Sequence, residues 1–392
     1  MSGPLSHIRV LDLSRVLAGP FAGQILADLG ADVIKVERPA VGDDTRHWGP
    51  PFLTDADGER GDAGYFLAAN RGKRSVQADL ADPDGQALVR SLARSSDVVL
   101  ENYKTGSLAK WGLGYADLAA IRPDIIYCSI TGFGQTGPRA GQAAYDFMIQ
   151  AMGGLMSVTG EADGYPGAGP QKVGIPVVDL MTGMYAAIGV LAALARRAET
   201  GEGEYIDLAM LDVMVGSLAN QAMNFLVSGN VPRRAGNKHP NIQPQDVFPC
   251  RDGHVVVVVG NDGQYAKFCE AIGRPDLAAD PDFATNGGRV RNQSRLLPQI
   301  IAALAAEDMA VWVARLEAAG VPCAPINTAA DAFADPQVAH REMLVHLDHP
   351  VAGSLPMVAS PLRFANAPIV YDRAPPLLGE HDEEIRREAG PA

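Results

Sequence analysis

Regular alternation over residues 8–130 constrains this chain more than any other feature. Short β-rich runs fall at 8–13 (IRVLDL), 32–36 (DVIKV), 74–80, 97–101 (DVVLE) and 124–130 (DIIYCSI). Helical patterns separate most of them, at 20–29, 83–95 and 106–121, and Gly30 closes the first. Strands joined by helices of this length form βαβ units, which predicts an α/β fold around a doubly wound, Rossmann-like parallel sheet.

The pattern then changes. Residues 143–225 read as mostly helical, interrupted by a Gly/Pro-rich loop at 160–174 and a short strand at 205–208. An Asn/Pro/Arg/Gly-rich linker follows at 230–244, then a hairpin over 247–259 turning at Arg251, Asp252 and Gly253. Helices are expected at 263–271, 294–305 and 310–319, and strand-like alternation returns at 345–365. This predicts a large domain over 1–228, completed by 330–392, and a smaller α/β domain over 229–329. The total of 392 residues fits such a division at roughly 150 residues per domain.

Charge and motifs exclude several classes. Acidic residues exceed basic ones by 46 − 33 = 13, a field that repels polyanions, so nucleic acid is not expected as a partner. The four cysteines, Cys128, Cys250, Cys269 and Cys323, lie far apart without CxxC or matched His spacing. That predicts neither a metal site nor a disulfide framework, and a reducing, cytoplasmic setting. The start, MSGPLSHIRVLDLS, lacks the basic-then-apolar pattern of a signal peptide. Residues 177–195 are apolar enough to span a membrane, but their one charge, Asp179, and polar flanks favour a buried helix. A GxGxxG match at Gly132, Gly134 and Gly137 follows the fifth strand, not the first, and Pro138 prolongs it as a loop. It reads as a glycine-rich ligand loop, not a dinucleotide fingerprint.

P-loop, HExxH, GxSxG and Cys–His signatures are absent, so a catalyst built on this chain would use a carboxylate. Asp179 is the candidate: Pro176 suits a first helical turn, which places Asp179 within that turn among Val, Leu and Met. Burial raises its pKa and the helix end lowers it, and a poorly hydrated carboxylate is a competent nucleophile. A simple helix-capping Asp is the alternative. Arg38, after the second strand, and Asn102-Tyr103-Lys104, after the fourth, stand where doubly wound sheets bind ligands.

The segments LDLSRVLAGPFAGQILADLGADVIKVERP, GDDTR, NRGKRS, VVLENY, YCSITGFGQTGP, VVDLMTGMYAAIGVLAAL and PLLGEH together resemble the family III CoA-transferases. The resemblance runs from Leu5 to Glu388 and implies an interlocked homodimer. It implies Asp179 as nucleophile with Tyr145 near the reacting centre. CoA would touch Val16, Ala18, Arg38, Ala78, Asn102, Tyr103 and Lys110, the last where relatives often carry arginine. No permanently bound cofactor or metal is implied; the CoA thioester is a substrate. GDDTRHWGPPF looks closest to members that move CoA between dicarboxylates, with succinyl-CoA the expected donor and Arg46 a possible clamp for a distal carboxylate. Gly134 and Gly260 are the expected oxyanion donors. The rival of the same fold is an α-methylacyl-CoA racemase. That type carries His directly before Asp, where this chain has Tyr145 before Asp146.

Overall fold

The computed structural model describes residues 3–55, 58 and 60–390. Its main sheet has six parallel strands: β1 (Arg9–Asp12), β2 (Asp32–Glu37), β3 (Lys73–Gln77), β4 (Val98–Glu101), β5 (Ile126–Thr131) and β6 (Glu204–Ala209). They lie in the order β3-β2-β1-β4-β5-β6, so the winding reverses between β1 and β4. Alternate residues point to opposite faces, and both faces are buried. Val10, Val33, Leu100 and Cys128 pack on one side with α1 (Ala18–Asp28) and the long Val177–Thr200 helix. Leu11, Ile34, Val99 and Tyr127 pack on the other with the Pro83–Arg94 helix.

Arg74, on the outer strand β3, is held by Asp32 of β2 and by Glu384 and Glu388 of the last helix, Asp382–Ala389. The C-terminal segment thus covers what would be an exposed sheet edge.

Two compact units divide the chain. The first comprises residues 1–155, 173–227 and 336–392, the second 156–172 and 228–335. The expected large domain was continuous over 1–228, but residues 156–172 go with the second unit. There Gly160 accepts from the Gly236 amide and Arg234 bonds Glu161 and Asp163. The second unit holds an antiparallel three-stranded sheet of β7 (Gln245–Pro249), β8 (His254–Val258) and β9 (Cys323–Pro325) over its own core. The Val177–Thr200 helix buries one face, while Met184, Tyr185 and Ile188 are exposed on another.

Candidate active site

In open α/β sheets the crevice for a ligand opens at the carboxyl ends of the strands where winding reverses. Two adjoining cavities lie there, of about 180 and 190 Å³. The first is walled by the loop after β1 (Arg15 to Ala18), by Asn102 and Tyr103 after β4, and by Gly132 after β5, with Asp179 and Tyr145 beside them. Arg38, Ala78 and Tyr103 line the second, and Arg15 lines both.

Asp179 stands in the first turn of the Val177–Thr200 helix. It is 8% exposed, and among the described residues no donor reaches its carboxylate. Burial pushes its carboxyl up to about 7, and the nearby Asp146 charge pushes the same way. Asp146 itself caps the helix, its Oδ1 accepting from the Val178 and Asp179 amides at 2.7 and 3.3 Å, while Oδ2 accepts from Gln150. Of the two sequence-level influences, burial therefore outweighs the helix end, because the end's amides are spent on another carboxylate.

The β1 loop is held from below. Asn102 Oδ1 accepts from the Arg15 amide at 2.8 Å, and its Nδ2 donates to the Arg15 carbonyl at 2.6 Å. Val16 adopts a φ of 69°, costly for a β-branched residue, with its amide shared between both oxygens of Asp43. Asp43 also accepts from the buried Lys35 ammonium and from Thr45. That fixed loop leads into α1, whose first amides, Ala18 and Gly19, have no acceptor among the described residues. Ala18 lines the same cavity as Asp179, and an open helix-terminal N–H group there suits a developing oxyanion.

Four expected positions stand otherwise. Arg46 is 3% exposed and is no free clamp: Nε and Nη2 donate to Glu37, Nη1 to Asp62, and Nη2 also to the Pro376 carbonyl. The Phe66 ring covers its guanidinium at 3.6 Å. The Gly134 amide donates to Thr131 Oγ1 at 2.8 Å, and the cavity is lined instead by Gly132, where a Cβ would lie 2.2 Å from that of Ala144. Gly260 belongs to the second unit, and its amide donates to Gln264 Oε1 at 2.8 Å. Lys110 lies outside both cavities, on the short Ala109–Trp111 turn. Sequence reasoning gave no role to Asp146 or Arg15. Adjacency to Tyr145 and to Val16 was the only signal available for either.

The family model for CoA-transferase family III matches residues 5–382. This chain is a family III CoA-transferase. It is 49% identical over 385 residues to a succinate–glutarate CoA-transferase of Agrobacterium fabrum, covering 98% of this chain and 95% of that one. A succinyl-CoA:glutarate CoA-transferase of Mus musculus is 42% identical, covering 98% and 86%. Among solved structures, a CAIB/BAIF family protein of Brucella suis superposes with a TM-score of 0.88 at 49% identity, covering 99% of this chain and all of that one. As a CoA-transferase the enzyme acts on CoA thioesters.

Proposed function

We propose that the enzyme moves CoA from succinyl-CoA to a dicarboxylate such as glutarate, with Asp179 as the nucleophile. One observation carries the mechanism: a buried carboxylate that no donor among the described residues reaches lines the cavity at the sheet's reversal point. The names of the similar enzymes support the substrates. Asp179 attacks the thioester carbonyl; its C–S bond breaks, CoA thiolate leaves, and a mixed anhydride forms. The thiolate then attacks Asp179 Cγ, releasing the donor acid and leaving an aspartyl-CoA thioester. The acceptor carboxylate repeats the sequence in reverse, so every intermediate stays activated.

The amide of Ala18 faces the developing charge in this reading. CoA runs between the two cavities, past Arg15 and Tyr103, with Arg38 and Ala78 beside its nucleotide end. The dicarboxylate preference does not rest on Arg46, whose donors are taken by Glu37, Asp62 and Pro376.

The reading extends to a homodimer, supported by the exposed apolar side chains Met184, Tyr185, Ile188, Leu226 and Val227 of the first unit. It also extends to the cytoplasmic setting expected from cysteine usage. Incubation with succinyl-CoA and a panel of acids, followed by mass spectrometry, tests the function. Glutaryl-CoA should form faster than butyryl-CoA, with EDTA making no difference. No new acyl-CoA with any dicarboxylate would overturn the substrate assignment. Sedimentation reads the dimer.

A further inference from the structure

Thr182 follows Asp179 by three residues and shares its buried helical stripe with Val178, Asp179, Gly183 and Ala186. Residues spaced by three are neighbours on a helix, separated by about 4.5 Å of rise. Cα–Cβ bonds tilt toward the helix N-terminus, so the Thr182 side chain leans toward the turn that carries Asp179. A buried threonine in a helix ordinarily donates to the carbonyl four residues earlier. Here the side chain is fully buried and its Oγ1 has no partner. Its helix is pressed against α1: a Cβ on Gly183 would come within 2.7 Å of the Ala18 carbonyl oxygen. The helix therefore has no room to roll and rehydrate the hydroxyl. A valine of the same shape would remove an unmade bond at no loss of packing, so an unspent donor here calls for a use.

We infer that Thr182 is a positioning residue whose hydroxyl donates a hydrogen bond to the carbonyl oxygen of the covalent Asp179 adduct. The inference rests on Asp179 being the nucleophile. When CoA thiolate attacks Cγ of the anhydride, the S–Cγ bond forms and the Cγ–O bond to the departing acid breaks. The remaining Asp179 oxygen carries the transient charge. At rest the Thr182 hydroxyl makes no bond to the Asp179 carboxylate; the bond forms once acylation re-aims that group, and Thr182 keeps its proton throughout. A donor used only along the reaction path lowers the barrier without tightening substrate binding.

The full-length enzyme with succinyl-CoA and glutarate tests this through Thr182→Val and Thr182→Ser. The valine variant should lose about 10- to 100-fold in kcat with KM for succinyl-CoA nearly unchanged, while its Tm equals or exceeds that of the wild type. Serine, which keeps the hydroxyl, should restore kcat to within a few-fold. Wild-type kcat in the valine variant would overturn the inference. So would a serine variant as slow as valine, or a valine variant with a lowered Tm, since either would make the role one of packing. Wild-type enzyme incubated with succinyl-CoA and hydroxylamine gives the separate control. A hydroxamate on Asp179 sustains the nucleophile whatever Thr182 does, and its absence removes the parent reading itself.

Discussion

Asp43 and Asp179 are both buried carboxylates of the same unit, yet their pKa values move in opposite directions. Burial alone would raise Asp43, but Lys35 and two donors from Thr45 overcome it and hold the carboxyl at about 2. Glu37, one step along the same network, is likewise held low despite burial, by Arg46, Lys35 and Ser75. Asp179 has burial and a second carboxylate beside it and no cation, so nothing opposes the rise to about 7. Burial is common to both regions; what distinguishes them is whether the polar atoms are spent. Saturated carboxylates brace the loop over Val16, and the unsaturated one is the nucleophile of the proposed mechanism.

The largest expected effect breaks the unsaturated side. Asp179→Ala and Asp179→Asn should lower transfer by about 10⁴-fold or more while the protein stays folded, read by the succinyl-CoA assay and circular dichroism. The same asparagine variant sharpens the contrast through stability. A carboxyl raised from 3.8 to about 7 costs folding energy once the pH exceeds 7, and that cost fades as the pH falls toward 3.8. Asp179→Asn should therefore melt higher than wild type at pH 8, by the equivalent of a few kcal/mol at roughly 1.4 per pKa unit, with little advantage at pH 4. Asp43 has the opposite sign: its contribution is present above 3.8 and is lost as the pH falls toward 2.

Removing one member of the saturated network should act on stability instead. Arg46→Ala removes the salt bridge to buried Glu37 and leaves it with only Ser75, the Asp43 amide and the more distant Lys35 charge, which should cost about 3–5 kcal/mol in denaturant melts. Surviving activity should keep the same ratio of glutarate to butyrate turnover. A selective loss of dicarboxylate turnover would return Arg46 to the substrate. A smaller effect belongs to pH. On the proposed mechanism the ionised carboxylate attacks, so kcat/KM should rise with pH through about 7. Asp146→Asn keeps a capping oxygen and removes the like charge, so this limb should move to lower pH. The move should be the smaller part of the total displacement, since burial is the larger cause. The smallest expected signal separates transfer from racemisation. A chiral 2-methylacyl-CoA in deuterated water should gain negligible α-deuterium, because Tyr145 stands where a racemase of this fold carries a histidine base. Rapid exchange would break that distinction.

Much of the frame was legible in the residues. Periodicity located the strands of the main sheet to within a few residues, and the apolar run starting at residue 177 with one carboxylate singled out Asp179. The expected helix at 106–121 instead breaks at Gly112, whose φ of 65° ends the Ala109–Trp111 turn before a separate Tyr115–Ile121 helix begins. Glycine permits that reversal, but its presence in a sequence does not require it. Arg46 shows the limit for side chains: an arginine in a polar motif reads as available until Glu37, Asp62 and Pro376 are seen around it.

What the sequence by itself determined was local and periodic: the βαβ alternation, the absence of P-loop, HExxH, GxSxG and Cys–His signatures, and the identity of the lone carboxylate in an apolar helix start. Tertiary structure alone decided which polar groups are consumed. Asp146 meets the Val178 amide across 32 residues, Asn102 meets Arg15 across 87, and Arg46 meets the Pro376 carbonyl across 330. Hydrogen-bond partners at such separations are set by strand order and by how the helices pack on the sheet. A residue's reactivity depends on those partners as much as on its type, and no spacing rule along the chain records them.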